Sequence, residues 1–155
     1  MVFVTCERPT QAIRLAYVAA FQIPRVPETL LSVGDFAALT GGMRRSARPG
    51  SFTEAHFVRY REAWSRPGAM TAMLNWYRAL LRRNPATPAT VVTPPVRIIW
   101  GDRDDVLERR LAEAALALCT QGEVFHLPDA THWVQHDSPG EVNELLLQFL
   151  DAAHV

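Results

Sequence analysis

The sequence is short of cysteine, of net charge and of long apolar runs, and each shortage narrows the class of protein. Its two cysteines, Cys6 and Cys119, follow no metal-binding spacing and fit a reducing cytosol. Its 16 basic and 16 acidic residues cancel, so no basic surplus is present to neutralise the phosphates of a nucleic acid. No apolar run approaches the roughly 20 residues that cross a bilayer, and the N-terminal stretch lacks the pattern of a secretion signal. We therefore expect a cytoplasmic protein with no membrane span and no nucleic-acid partner.

Apolar residues, by contrast, are plentiful. They make up 48% of the 155 residues, which suffices for the core of one folded domain. A short apolar run at 2–5 predicts a buried strand. Residues 10–21 have a helical pattern that ends before two prolines, and residues 28–40 predict a weaker helix that ends at Gly41-Gly42. A polar linker is predicted at 44–50.

Two further helices are predicted in the middle of the chain. Ser51 and Glu54 have the spacing of a capping box, in which a hydroxyl and a carboxylate bind free N–H groups at the start of a helix. The next helix is predicted at 67–83, and a linker rich in proline and threonine follows at 84–95. The apolar face of this second helix is predicted to comprise Met70, Met73, Leu74, Tyr77, Leu80 and Leu81.

The last third of the chain alternates strands with helices. We predict a strand at 96–102, a helix at 108–119, a strand at 123–127 and a helix at 138–153. Strands that alternate with helices lie parallel, so this order predicts an α/β layer fold.

Titratable side chains follow both of these strands. Asp102, Asp104 and Asp105 come directly after the first, and His132 comes shortly after the second. Because the carboxyl ends of parallel strands meet at one edge of a sheet, an aspartate and the histidine are expected to lie together there. A carboxylate on one ring nitrogen leaves the other to take a proton, so His132 is a candidate general base. Position alone does not choose among the three aspartates.

Two segments resemble the α/β-hydrolase family. The stretch "WGDRDDVL" resembles the family's W-G-x-x-D segment, whose aspartate is the acid of a catalytic triad and is here Asp104. The stretch "THWVQHDSP" resembles the segment that carries the triad histidine, here His132. The resemblance thus selects Asp104 as the partner of His132.

Two other segments, "YVAAFQIP" and "NWYRALLR", resemble the cap of epoxide hydrolases. In that family each segment carries a tyrosine whose hydroxyl donates a hydrogen bond to the epoxide oxygen, and the matching residues here are Tyr17 and Tyr77. Such donors are needed because ring opening develops an alkoxide. Tyr60 matches no site position and is expected to be part of the cap's structure. His126 is expected to be a packing or surface residue, and His136 a loop residue.

The resemblance implies a partial α/β-hydrolase fold with three parallel strands, flanking helices and an inserted helical cap. Residues 1–9 and 95–155 would form the C-terminal part of the hydrolase core, and residues 10–94 the cap. The implied function is hydrolysis of a small apolar epoxide to a diol through a covalent ester, with no cofactor and no metal ion.

One part of the family's machinery is missing from the sequence. It contains neither the glycine-framed elbow that carries the nucleophile nor the H-G-x-P segment of the oxyanion hole. We therefore expect the chain to be inactive alone, as a truncated gene, a fragment or half of a split enzyme would be. The strand at 2–5 would have an open edge, which predicts self-association or binding of an N-terminal hydrolase half. The alternatives are a capped dehalogenase or esterase, and a non-catalytic interaction module that uses this edge.

Overall fold

The computed structural model describes residues 16–82 and 91–153, which we call the helical part and the sheet part. The helices of the helical part are α1 (Ala16–Ala20), α2 (Val26–Ser46), α3 (Glu54–Trp64) and α4 (Ala69–Leu81). The sheet part comprises β1 (Val96–Gly101), α5 (Arg110–Leu116), β2 (Gly122–Leu127), α6 (Val134–Asp137) and α7 (Pro139–Ala153).

The helix α2 is broken early and then continues past its predicted end. Gly34, Asp35 and Phe36 have left-handed backbone angles, with φ of 62°, 56° and 61°, and divide α2 into two segments. The predicted end at Gly41-Gly42 is wrong, since the helix runs on to Ser46. Buried Met43 packs into the apolar core of the helical part, and this packing outweighs the low helix propensity of the two glycines.

The predicted capping box of α3 is also wrong, because the helix begins two residues later than the pattern places it. Thr53 is the N-cap: its hydroxyl accepts from the N–H of His56 at 3.4 Å, and His56 Nδ1 accepts from the Thr53 N–H at 3.2 Å. Ser51 Oγ instead donates to Asp137, and Glu54 pairs with arginine side chains.

The core of the helical part is mainly aromatic. Of the predicted apolar face of α4, Met70 and Leu74 are buried, but Met73 is 38% exposed. Neighbouring Trp76 is 80% exposed. The core cluster consists of Phe36, Met43, Phe52, Phe57, Trp64, Met70 and Leu74.

In the sheet part, β1 and β2 pair in parallel, as predicted, from Val96 opposite Gly122 to Gly101 opposite Leu127. Helices flank this small sheet, and α7 packs on it through Val142. A parallel sheet with flanking helices agrees with the expected partial α/β-hydrolase fold. The strand predicted at residues 2–5 lies outside the described residues. Among the helices that the structure describes, none is long and apolar enough to cross a membrane.

Candidate active site

Gly101 allows the loop after β2 to pass directly over the end of β1. A Cβ at this position would lie 2.2 Å from the carbonyl oxygen of Thr131 and 2.5 Å from that of Ala130, so no side chain fits. The N–H of Arg103 donates to the Ala130 carbonyl at 2.9 Å, which ties the two loops together. The glycine of the W-G-x-x-D segment therefore brings the loop of His132 against the loop that carries the aspartates.

Asp104 and His132 meet at this junction. His132 Nδ1 lies 2.9 Å from Asp104 Oδ2, so the predicted partner of the histidine is confirmed as a contact. Asp104 Oδ1 accepts from the backbone N–H groups of Val106 at 2.7 Å and Leu107 at 2.8 Å. Burial raises the pKa of Asp104, but the hydrogen bonds with His132 and with these two N–H groups lower it below its usual range. The carboxylate is therefore ionised and fixed in orientation.

The other two aspartates lie elsewhere. Asp102 Oδ1 lies 2.6 Å from His126 Nδ1 and 3.2 Å from Arg109 Nε, and Asp105 is exposed. His126 Nε2 is 3.2 Å from Glu113, so this histidine lies between two carboxylates and is more than a packing residue. The same strand-end argument that pairs Asp104 with His132 could have found this second pair. Within residues 16–82 and 91–153, no group of three or more side chains could hold a metal ion.

Tyr17 and Tyr77 lie side by side. Their ring centroids are 5.8 Å apart in an edge-to-face arrangement, and Phe21 packs against both rings. Burial raises the pKa of Tyr17 to about 12. Tyr77, with which Tyr17 shares a hydrogen bond, and the negative charge of Asp104 add to this rise. Tyr17 stays protonated at neutral pH and can donate a hydrogen bond.

Polar contacts hold the segments of the two tyrosines together. Gln22 Nε2 donates to the carbonyl of Tyr77 at 3.4 Å. Arg78 Nε donates to the carbonyl of Phe21 at 2.9 Å, and its Nη1 pairs with Glu28 at 2.7 Å. These bonds join the chain just after α1 to α4 and so fix the separation of the two phenols.

Comparison with known proteins places this geometry in a family. A profile described as the Alpha/beta hydrolase family matches residues 2–145. The chain belongs to the alpha/beta hydrolase family. Within it, the chain is epoxide hydrolase-like, as the two pairs of sequence segments predict.

The chain resembles both curated proteins and solved structures of this family. The chain is 42% identical to "AB hydrolase superfamily protein YfhM" of Bacillus subtilis (strain 168), over 95% of this chain and 51% of that protein. It is 33% identical to "Epoxide hydrolase 2" of Caenorhabditis elegans, over 87% of this chain and 39% of that protein. A crystal structure of Bacillus megaterium epoxide hydrolase in complex with an inhibitor matches with a TM-score of 0.74 at 25% identity, over 94% of this chain and 54% of that one. The chain therefore spans about half the length of such relatives, or less.

In this hydrolase chain, Tyr60 makes a contact that the sequence did not predict. Its hydroxyl lies 2.8 Å from His136 Nε2, and its ring stacks on Trp64 with centroids 5.4 Å apart. His136 lies in the short helix α6 and not in a loop. Burial lowers the pKa of His136, as does nearby His56, while Asp137 raises it. Tyr60 is thus a structural residue, as expected, but it also connects α3 to the segment that follows His132.

Proposed function

We propose that this chain carries the general base and the epoxide-activating phenols of an epoxide hydrolase, and that the nucleophile comes from a segment outside these 155 residues. The observation that supports the proposal is that the chain contains both a tyrosine pair and an aspartate–histidine pair, and that the charge of Asp104 acts on Tyr17. A dehalogenase or an esterase would use the second pair but has no need of the first.

In the first step, a carboxylate nucleophile attacks a ring carbon of the epoxide. A carbon–oxygen bond forms to the carboxylate, the ring carbon–oxygen bond breaks, and the epoxide oxygen becomes an alkoxide. Tyr17 and Tyr77 donate hydrogen bonds to that oxygen, and one of them supplies its proton. The products are a covalent ester and a phenolate, and the phenolate is later reprotonated.

In the second step, His132 activates the water that cleaves the ester. Since Nδ1 faces Asp104, Nε2 is the nitrogen that takes the proton from water. Asp104 stabilises the imidazolium that forms and holds the ring in one orientation. Cleavage releases the diol and regenerates the nucleophilic carboxylate, and the proton that His132 took from water passes to the phenolate, which restores the neutral imidazole and the phenol.

We further propose the division of the chain that this chemistry requires. Residues 10–94 act as the cap that supplies the phenols, and residues 1–9 and 95–155 belong to the hydrolase core. The substrate is a small apolar epoxide, because Phe21 and the two tyrosine rings give the site an apolar wall. The low cysteine content supports a cytoplasmic enzyme.

The test is reconstitution with the missing half. We expect the purified chain alone to give no turnover of a styrene oxide-type substrate. Addition of the part of the Bacillus subtilis relative that this chain does not match should restore diol formation. Tyr17→Phe with Tyr77→Phe should then lower kcat by about 10²–10³-fold, the usual effect of removing a donor to a developing oxyanion.

Tyr60→Phe is the matched control, since it removes the phenol that lies 2.8 Å from His136 and is not one of the pair, and it should lower kcat far less than the double substitution does. Activity of the chain alone that His132→Ala abolishes would contradict the need for an external nucleophile. A reconstituted enzyme that cleaves haloalkanes or esters and tolerates the double tyrosine substitution would instead identify a dehalogenase or an esterase.

A further inference from the structure

Asp137, at the end of α6, joins the two parts of the chain through its carboxylate. Oδ1 accepts a hydrogen bond from Ser51 Oγ at 2.5 Å and another from the N–H of Arg48 at 3.2 Å, both in the loop that follows α2. Oδ2 accepts from the N–H of Thr131 at 2.7 Å and from its hydroxyl at 2.6 Å. One oxygen is therefore bound by the helical part and the other by the loop that carries His132.

Thr131 is the residue through which Asp137 can act on the neighbouring His132. The carbonyl of Thr131 lies against Gly101, and its Oγ1 also accepts from the N–H of Trp133 at 3.3 Å. Trp133 Nε1 in turn donates to Ser46 Oγ at 2.9 Å. The residues on both sides of His132 are thus anchored, which holds the backbone that presents the imidazole to Asp104.

The charge of Asp137 suits this task. Burial raises its pKa, but the hydrogen bonds from Ser51, Thr131 and Arg48 lower it below the usual range. An ionised carboxylate only accepts hydrogen bonds, and all four of these bonds are donated to it.

We propose that Asp137 is a positioning residue for His132, which holds the loop at Thr131 where the imidazole reaches Asp104. The assignment of His132 as a base rests on the proposed function. The placement of its ring does not, and it can be measured without turnover.

The test uses the full chain and the tautomers of its five histidines, read from long-range ¹H–¹⁵N spectra at a pH where the imidazoles are neutral. The signals are assigned by single substitutions. In the natural chain, His132 should be a single tautomer with its proton on Nδ1. In Asp137→Ala it should shift to a mixture of both tautomers, because the ring no longer meets Asp104. Asp137→Asn, which keeps one acceptor oxygen, should give an intermediate result.

His126 is the internal reference, because its contacts with Asp102 and Glu113 do not involve Asp137. A positioning role moves the signals of His132 and leaves those of His126, whereas general loosening moves both and would overturn the proposal. Asp129→Ala is the matched control, since it removes an exposed aspartate that pairs with Arg103.

Unchanged His132 signals in Asp137→Ala would also overturn the proposal. If that variant does not fold, Asp137→Asn and Thr131→Val decide the question by the same comparison. Failure of the reconstituted chain to hydrolyse epoxides would leave this result standing, so the two proposals fail separately.

Discussion

Asp104 keeps its negative charge in a place where burial alone would remove it. Its side chain is 7% exposed, yet the hydrogen bonds with His132 and two backbone N–H groups hold its pKa below the usual range. A carboxyl whose folded pKa is lowered adds stability that is complete above its unfolded pKa of about 3.9 and is lost as the pH falls through the folded value. Asp104 is therefore a source of acid sensitivity in the folded chain.

We predict that Asp104→Asn flattens the fall in stability below about pH 4, because the group that titrates is gone. At neutral pH the same change should lower the free energy of unfolding by about 1.5–3 kcal/mol, the usual contribution of hydrogen bonds to a charged group. Urea unfolding followed from pH 3 to pH 8 measures both effects. Asp129→Asn, at an exposed ion pair, should shift neither by more than about 1 kcal/mol. An unchanged acid slope in Asp104→Asn would show that folding does not lower the pKa of this carboxyl.

The contacts of single residues are predictable from the sequence where a motif fixes their spacing. Asp104 and His132 fall at fixed places in two family segments, and their contact follows from two parallel strands. The contact of Tyr60 with His136, by contrast, joins a helix residue to a residue that no motif and no strand end connects with it. Such pairs depend on how loops and helices pack, which the local pattern does not contain.

At the scale of helices and strands, the sequence pattern failed where tertiary packing, and not local propensity, sets the end of an element. The central strands were predicted nearly to the residue, because β-branched runs bounded by glycine have few alternatives. The predicted end of α2 was wrong because Met43 packs into the core and extends the helix past Gly41-Gly42. The predicted N-cap of α3 was wrong because Thr53, and not Ser51, binds a free N–H group in the first turn of the helix. The position of Gly101 in the W-G-x-x-D segment was clear from the sequence. Only the structure shows why a glycine is needed there: the carbonyl oxygens of Thr131 and Ala130 occupy the place of a Cβ.

We predict that Gly101→Ala separates the two loops of the site. Its Cβ would meet backbone oxygen atoms at 2.2 Å and 2.5 Å, which cannot move as a flexible side chain does. The expected cost is about 1–3 kcal/mol of unfolding free energy, with loss of the His132 Nδ1–H signal that reports the contact with Asp104.

Gly42→Ala is the control for this experiment, because a Cβ there meets nothing within 4 Å on a helix. It should stabilise the chain by about 0.5–1 kcal/mol, since alanine is the better helix former. If Gly101→Ala keeps both its stability and the His132 signal, the close approach at β1 is not required for the site.

At the scale of the whole molecule, the described chain leaves large apolar side chains exposed. Trp76 on α4 is 80% exposed and Leu147 on α7 is 61% exposed, and Leu146 and Leu150 lie on the same helix as Leu147. The relatives are about twice as long as this chain or longer, which supports the proposal that a further segment covers such surfaces.

We predict that the isolated chain self-associates and has a low melting temperature, and that a matching N-terminal hydrolase half raises this temperature and prevents the self-association. Exposed apolar surface favours contact with another chain, and a small core leaves little stability to resist it. Sedimentation velocity and thermal unfolding, each with and without the added half, measure the effect. Gly42→Ala tests whether added helix stability alone prevents the self-association, which we do not expect. A monomer that melts cooperatively, at a temperature that the added half leaves unchanged, would favour a self-sufficient domain.

The bonds from the helical part to residues 131–137 also have a mechanical consequence. Ser51 binds Asp137, Ser46 binds Trp133 and Tyr60 binds His136, so three separate points of the helical part hold the segment that carries His132. A swing of the helices wide enough to admit a bulky molecule would stretch these bonds and pull the imidazole from Asp104. Under the proposed function, entry of substrate and readiness of the base would therefore be linked, because His132 meets Asp104 only while these bonds are made.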